Sequence, residues 1–449
     1  MSNPLADSLA IPELKKRGLI TLGLLLVYRI GCQVPTPGVN PAAMEALMAN
    51  QQGGVLGVLN LFTGGALGQF SVFALGIMPY ISTSIILQLL TEVLPQLKQL
   101  KNEGEAGQRK INQYTRYGTV VLAMFQATMM TKVLRAIAAS SAASSSLIIH
   151  DTASWTFITA LTLTTGTIFV MWLGEQITEF GIGNGMSLII FGGIVSRLPH
   201  EFVSVYQAYD AGNVSLFGVI FFLAVMAALL ALTILSQLAY RKVPVQYAQR
   251  QMGRRLMGGG STVLPLKIDY SGVIAVIFAS SLLIFPAQII SYFKSSAWLA
   301  KNDSAVHTLD MLENWFSHGH PVYVLLYASL TIFFCFFYTA MVFNTDDVAD
   351  NMKKYGGFIP GLRPGKATAD YLARILDRIT LGGAVMVVVI AVLPDVLARN
   401  MGIGWYFGGT TFLIVVGVAL DTMRQVEAHL LMRHYDGFMK DQKIRGRFG

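Results

Sequence analysis

Few residues in this sequence have the types and spacing that chemistry requires. The seven histidines include two close pairs, His318 with His320 and His429 with His434. No cysteines or carboxylates accompany either pair at metal-ligand spacing, so these histidines are predicted to lie at helix ends or on the surface. No nucleophile paired with a base, and no pair of carboxylates, falls inside an apolar stretch. We therefore expect no metal, no cofactor and no catalytic residue.

Two glycine-rich segments superficially resemble nucleotide-binding loops. Gly181, Gly183 and Gly185 follow no predicted strand, and their spacing differs from that of the dinucleotide-binding fingerprint. In residues 361–366 only three residues separate the glycines, where a phosphate-binding loop needs four, and Ala367 replaces its Ser or Thr. The sequence therefore predicts no ATP site, and it predicts a tight turn at the first segment.

The elements that would position any site are long apolar runs. Of the 449 residues, 53% are hydrophobic and 13% are charged, whereas a soluble protein has about 25% charged residues. The runs are about 20 residues long, the length that an α-helix needs to cross the hydrocarbon core of a bilayer. The sequence thus predicts an all-α membrane protein with ten transmembrane helices, near residues 19–37, 74–94, 116–138, 153–175, 184–200, 214–240, 271–293, 321–343, 378–399 and 404–427.

The distribution of charge gives the orientation of these spans. An even number of spans places both termini on one face, and most of the 33 Lys and Arg residues lie on that face. By the positive-inside rule it is cytoplasmic. The net charge of +8 is therefore a cytoplasmic property, suited to anionic lipids, acidic proteins or RNA phosphate. The exceptions are Lys132, Arg135, Arg197, Lys294, Lys301 and Arg399 on the opposite face, and Arg29 inside the first span.

Two cytoplasmic stretches, residues 241–270 and 344–377, are basic and too polar to lie in lipid. In the first, residues 263–266 follow a glycine run and are predicted to belong to a hairpin. In the second, glycines and prolines surround Arg363 and indicate a turn-rich tip. The pattern leaves two interpretations open: solvated topology signals, or docking surfaces for a cytoplasmic partner.

The stretch at residues 56–73 is too short to cross a membrane, too rich in glycine for a stable surface helix, and too apolar for open water. Irregular backbone persists at membrane depth only where protein or a water-filled cavity surrounds it. This stretch is either a short re-entrant segment or a loop packed on the outer face. Just after it, Ile77 and Ile81 share one helical face, and their spacing alone favours ordinary packing.

Five motifs together resemble the SecY family, the channel subunits of the bacterial Sec protein translocase, in its Gram-negative form. They are ALGIMPYISTSIILQ at residues 74–88, EGEAGQRKINQYTRY at 103–117, WLGEQITEFGIGNG at 172–185, GLRPG at 361–365 and YFGGT at 406–410. The likeness runs nearly from end to end of the chain.

The resemblance implies a clamshell of two five-helix halves related by inverted pseudo-symmetry, with a short re-entrant plug helix. Residues 1–200 would form the first half, 201–213 a hinge and 214–449 the second half. Spans two and three would face spans seven and eight across a lateral gate, through which apolar segments reach lipid.

The resemblance also implies roles for particular residues. The pore ring would comprise Ile77, Ile81, Met186, Ile190, Ile277 and Ile414. The plug, about residues 61–73, would include Leu61, Phe62, Thr63, Gly64, Gly65, Ala66, Leu67, Gly68, Gln69 and Phe70. The lateral gate would include Ser82, Thr83, Gln126, Ser280, Ser281 and Phe285. Partner docking would use Arg254, Arg255 and Arg363.

As partners the resemblance implies the membrane subunits SecE and SecG, the motor ATPase SecA, the ribosome, preprotein substrates and anionic phospholipids, all at the bacterial inner membrane. Three positions depart from the family pattern. Met186 stands in place of an isoleucine, Ala275 in place of a frequent proline, and Gln69 in place of a basic residue.

Two other functions remain open on the residues alone. A small-solute secondary transporter would suit the number of spans, but it would usually place an ionisable residue near the bilayer midplane. An intramembrane protease would need catalytic groups inside the spans. Solute-coupled uptake by reconstituted vesicles would distinguish the first alternative from a protein channel.

Overall fold

The computed structural model describes residues 12–50, 57, 60, 62–140, 147–149, 153–212, 214–247, 250–252, 255–257, 260–294, 303–316, 320–401 and 408–441. The helices are α1 (Pro12–Gly31), α2 (Pro41–Asn50), α3 (Met78–Val93), α4 (Pro95–Asn102), α5 (Glu105–Ser140), α6 (Ala153–Phe180), α7 (Gly185–Val195), α8 (Leu198–Asp210), α9 (Leu216–Leu238), α10 (Gly272–Lys294), α11 (Asp303–Trp315), α12 (Pro321–Val342), α13 (Thr345–Lys354), α14 (Lys366–Asn400) and α15 (Gly409–Asp441). The strands are β1 (Tyr240–Tyr247), β2 (Arg250–Met252), β3 (Arg255–Met257), β4 (Ser261–Lys267) and β5 (Gly357–Phe358).

Several helices have the length and the apolar composition of membrane spans. Among the described residues there are seven such stretches, at Glu105–Ala138, Ser154–Phe180, Gly185–Asp210, Leu216–Leu238, Gly272–Lys294, Pro321–Lys354 and Lys366–Ala398. The predicted second span is shorter, because α3 has only 16 residues. The prediction of a mostly helical, multi-span membrane protein is confirmed, and the count of ten spans stays a prediction.

Contacts between Cα atoms group the chain into two units. The first comprises Met1–His200, Ile284–Ser317 and Gly417–Gly449, and the second comprises Glu201–Leu283 and His318–Val416. In the first unit α5 packs on α3 and α6, and α1 packs on α6 and α7. In the second, α14 packs on α9 and α12. The inverted symmetry of two halves, and the hinge at 201–213, stay predictions.

The turn between α6 and α7 is as tight as the sequence predicts. The side chain of Asn184 caps α7 by accepting hydrogen bonds from the amides of Met186 and Ser187, at 3.1 and 3.3 Å. A Cβ atom at Gly185 would lie 1.9 Å from the Gly174 carbonyl oxygen, so only glycine fits there. The turn therefore holds the start of α7 directly against α6.

The two basic stretches form one small folded body. Strand β1 pairs with β4 in antiparallel register from Tyr240↔Lys267 to Gln246↔Ser261, which confirms the predicted hairpin. Strand β5, from the second stretch, adds to the other edge of β1. The apolar core between strands and helices comprises Val243, Val245, Leu266, Met352, Ile359, Leu372 and Ile375. No pattern in the sequence predicts that these two stretches share a core.

Candidate functional site

The candidate site begins with the segment that precedes α3. Residues 57, 60 and 62 are helical, and residues 63–70 form consecutive turns. The side chains of Phe62, Ala66, Leu67 and Phe70 are at most 4% exposed. The segment therefore packs inside the first unit with its apolar side chains covered. Leu61, the first predicted plug residue, lies outside the described residues.

The end of this segment is fixed to the chain that follows α1. The Thr36 amide donates to the Phe70 carbonyl at 3.0 Å, and the Thr36 hydroxyl donates to the same oxygen. The Val72 amide donates to the Val34 carbonyl at 2.9 Å. Phe70 has a φ of 46°, a conformation that only over-determined surroundings maintain in a bulky residue.

In the described part of the chain, three further side chains from outside the segment donate hydrogen bonds to its backbone carbonyl groups. Arg29 Nη1 lies 2.7 Å from the Gly64 oxygen, and the Tyr28 hydroxyl lies 3.2 Å from the Thr63 oxygen. Arg197, after α7, reaches the Asn60 oxygen at 3.2 Å. Sequence reasoning placed Arg29 inside the first span but gave it no partner. The signal was available, because an arginine in an apolar span must find acceptors.

Glycines allow the segment to approach α7 closely. Gly64 has a φ of +66°, and a Cβ atom there would lie 2.6 Å from the Cα atom of Gly193. A Cβ atom at Gly166, on α6, would lie 2.0 Å from the Val72 carbonyl oxygen. Backbone therefore packs on backbone at both places, which leaves no room for a side chain at either glycine.

Four of the predicted pore-ring residues belong to the first unit, and two of them follow this segment directly in the sequence. Ile77 is the residue before α3, and the Ile81 amide donates to its carbonyl at 3.1 Å. Both isoleucines and Ile190 on α7 are buried. Met186 is half-buried. A Cβ atom at Gly174 would lie only 2.4 Å from the Sδ atom of Met186. Met186 thus packs against α6.

In the second unit, Ile277 on α10 and Ile414 on α15 are buried, with 8% and 0% of their surface exposed. The convergence of the pore-ring positions on one axis stays a prediction. Of the departures from the family pattern, Ala275 is fully buried in a continuous helix whose internal proline is Pro286. Gln69 is half-buried.

Two of the predicted gate residues form hydrogen bonds within their own helices. The Thr83 hydroxyl donates to the Pro79 carbonyl at 2.8 Å, and the Ser280 hydroxyl donates to the Ile277 carbonyl at 3.0 Å. The buried Ser281 hydroxyl finds no hydrogen-bond partner in the described part of the chain. The remaining gate positions are Gln126, which is buried, and Ser82 and Phe285, which are half-buried. Their role at a gate stays a prediction.

Of the predicted docking residues, Arg363 is exposed at the tip between β5 and α14. Its carbonyl accepts a hydrogen bond from Thr368 at 2.9 Å, and Gly361 and Gly365 flank it with φ values of +86° and +108°. This turn presents a basic side chain to solvent. Arg255 lies in β3, and Arg254 is outside the described residues.

Comparison with known proteins decides the family. The SecY family model matches residues 71–423. The chain belongs to the SecY family. The protein translocase subunit SecY of Escherichia coli strain K12 is 44% identical over 97% of this chain and 96% of its own length. This membership confirms the resemblance found in the motifs and favours a translocase over a small-solute transporter.

Solved structures agree on the fold. A structure described as showing that the plug domain of the SecY protein stabilises the closed channel superposes with a TM-score of 0.62 and 16% identity, over 95% of this chain and 97% of the other. Sec61 in the canine ribosome–channel complex superposes with a TM-score of 0.58 and 16% identity, over the same 95% and 97%. The folding pattern of the whole chain is therefore that of this channel family.

Proposed function

We propose that this chain is the protein-conducting channel of the general secretory pathway. It passes unfolded preproteins across the membrane and releases signal or transmembrane segments into lipid through a lateral gate. The observation that carries this proposal is the 44% identity with the E. coli translocase subunit over 97% of the chain. The chain acts as a channel and not as an enzyme, because the energy that drives translocation comes from a partner.

The barrier to small ions is the ring of Ile77, Ile81, Met186, Ile190, Ile277 and Ile414. A narrow collar of apolar side chains resists continuous wetting and offers an ion nothing in place of its hydration shell. All five isoleucines are at most 8% exposed, which supports this assignment because none of them faces the exterior. The flexible thioether of Met186 suits a seal that must widen around a polypeptide.

The plug is the buried segment at about residues 61–73, which closes the channel at rest. Its support is its irregular backbone, which is covered by protein as an irregular segment at membrane depth must be. The gate lies between spans two and three and spans seven and eight. Hydrogen bonds between membrane helices average about 0.6 kcal/mol, so a few polar contacts at Ser82, Thr83, Gln126, Ser280 and Ser281 hold it reversibly.

The cytoplasmic body made by β1, β4, β5, α13 and α14 is the docking surface for the motor SecA and the ribosome. The exposed tip at Arg363 supports this, since a basic side chain at an exposed turn suits acidic protein or RNA phosphate. The two proteins named Sec61 and Ssh1 were solved with ribosomes. SecE and SecG brace the channel in the membrane, and anionic phospholipids face the cytoplasmic basic residues.

The charge distribution supports the orientation of the chain, and the family supports its location. The chain is a multi-pass protein of the bacterial inner membrane, with both termini in the cytoplasm. The same orientation places the docking surface on the side from which preproteins arrive.

The test is photo-crosslinking of a stalled secretory chain to a photoreactive residue placed at Ile81 or at Ile277. We expect adducts at both positions. Ile220, which is 58% exposed on α9, is the matched control and should give none. Absence of adducts at both ring positions, in protein that assembles in the membrane, would refute the proposal.

A further inference from the structure

We propose that Arg29 holds the plug in its closed position by donating a charged hydrogen bond to a plug carbonyl group. This inference rests on the proposed function and adds to it the residue that restrains the plug. Arg29 acts as a positioning residue, because its side chain contacts the backbone of the plug. No pore-ring side chain takes part in that contact.

The geometry of the contact is specific. Arg29 lies in the last turn of α1, and its Nη1 atom is 2.7 Å from the Gly64 carbonyl oxygen. A hydrogen bond from a guanidinium group is about twice as strong as one between neutral groups. The acceptor cannot shift sideways, because Gly64 is pressed against the backbone of Gly193. Donor and acceptor are thus both held by packed helices.

The charge of Arg29 makes the contact costly to lose. The side chain is half-buried within an apolar run that the sequence predicts to span the membrane. Among the described residues it forms no ion pair, and the Gly64 oxygen is the acceptor of its hydrogen bond. If the plug moved away, the half-buried guanidinium group would lose this acceptor, and that loss opposes opening.

Two neighbouring contacts act in the same direction without this dependence on charge, whereas Arg197 adds a second guanidinium hydrogen bond, to the Asn60 carbonyl at 3.2 Å. The adjacent Tyr28 hydroxyl donates to the Thr63 carbonyl at 3.2 Å, and the Asn60 side chain closes the segment by accepting from the Gly68 amide at 2.7 Å. Tyr28 and Arg29 therefore contact consecutive carbonyl groups. Removal of the arginine should release the plug more than removal of the tyrosine hydroxyl does.

The experiment uses the full-length chain in reconstituted vesicles, with Arg29→Gln as the test variant and Arg17→Gln as its matched control. Arg17 lies on the same helix, but its guanidinium group donates to the Gly181 carbonyl, at 3.4 Å, away from the plug. The readouts are amide hydrogen exchange in peptides covering residues 62–77 and passive ion leak through the vesicles.

For Arg29→Gln we expect exchange of the plug amides and ion leak to rise by about tenfold, since a hydrogen bond to a charged group is lost. Exchange in α9 should not change. Arg29→Lys, which keeps the charge, should restore part of the protection, and Tyr28→Phe should have a smaller effect than Arg29→Gln. Arg17→Gln should match the wild type in the plug.

Plug exchange in Arg29→Gln equal to that of the wild type would overturn the inference. If Arg29→Gln fails to fold, Arg29→Met decides, because it also removes the charged donor while keeping an apolar side chain, and a wild-type exchange rate there would overturn the inference. Hydrogen exchange reports the restraint without any transport. If the stalled chain forms crosslinks but plug exchange in Arg29→Gln is unchanged, the restraint by Arg29 is rejected and the channel is not. If plug exchange rises but no crosslinks form, the channel is rejected and the restraint is not.

Discussion

The ammonium group of Lys132 donates a hydrogen bond to the hydroxyl of Tyr292 at 3.3 Å and lies 5.4 Å from the centroid of its ring. This contact joins α5 to the C-terminal end of α10. Lys294, at the end of α10, forms ion pairs of 2.7 Å with both Asp310 and Glu313. The end of α10 is therefore tied to α5 on one side and to α11 on the other. Helices α5 and α10 correspond to the predicted spans three and seven, which lie on opposite sides of the proposed gate.

A covalent link across the Lys132–Tyr292 contact should stop lateral release. We expect the double variant Lys132→Cys with Tyr292→Cys, treated with a bifunctional thiol reagent about 8–10 Å long, to insert transmembrane segments at least severalfold more slowly. A reagent of that length is needed because both native side chains are long. Insertion is measured in reconstituted vesicles.

Each single-cysteine variant, treated identically, is the control for reaction with the buried native thiols Cys32 and Cys335. It should insert segments at the untreated rate. Normal insertion by the linked double variant would show that α5 and α10 need not separate at this end.

A second contact, between Arg116 and Glu175, joins the N-terminal half of α5 to the C-terminal part of α6. The Nε and Oε1 atoms are 2.7 Å apart, and the two side chains are 51% and 27% exposed. Because solvent screens this pair, Arg116→Ala should lower the free energy of unfolding by only about 0.5–1 kcal/mol. Denaturation at low and high salt, with Arg116→Ala, Glu175→Ala and the double variant, measures it. A coupling that grows with salt would contradict this account.

Gly64 and Gly65 offer a matched pair of substitutions in the plug. Both have positive φ, +66° and +91°, but only a Cβ atom at Gly64 would meet another group, the Cα atom of Gly193 at 2.6 Å. Gly65→Ala should cost about 1–2 kcal/mol from its left-handed backbone alone. Gly64→Ala should cost about 1–3 kcal/mol more, because backbone must shift. Thermal melting in detergent checks the order, and equal melting temperatures would refute it.

The sequence predicted the elements whose signals are local. Apolar runs gave the positions of α5, α6, α9, α10 and α12, and the glycines around Asn184 gave the tight turn, since hydropathy and turn chemistry are written in consecutive residues. The shared core of the two basic stretches was not predicted. This core brings Val245 together with residues such as Ile359, which lies more than a hundred positions away in the sequence. A valine in a strand does not indicate which distant residue it will pack against.

The contact between Arg29 and Gly64 escaped prediction for a different reason. The acceptor is a backbone carbonyl group, and every residue has one, so no residue type marks it. The pore ring has the same difficulty, because an isoleucine in a seal and an isoleucine in ordinary packing are the same residue. Only the family resemblance assigned those positions.

Asp269 should give the stability of the second unit a dependence on pH. Its Oδ1 atom accepts hydrogen bonds of 2.7 Å from the Ser271 hydroxyl and from the Gly272 amide, at the start of α10. Its Oδ2 atom is buried and has no hydrogen-bond partner among the described residues. Burial raises the pKa of Asp269, and the two hydrogen bonds and the charge of Lys267 only partly oppose this rise.

The sign of the effect follows from proton binding. Between the ordinary carboxyl pKa of about 4 and the raised pKa of Asp269 in the folded chain, the folded state binds more protons than the unfolded state. The free energy of unfolding must therefore fall as pH rises through that window. Asp269→Asn keeps the oxygen that caps α10 and removes the titration, so its melting temperature relative to the wild type should increase from pH 4.5 to pH 7.5. Asp370→Asn, at an exposed position on α14, is the control and should show no such trend. A difference between Asp269→Asn and the wild type that stays constant with pH would mean that the carboxyl group is solvated in the folded protein.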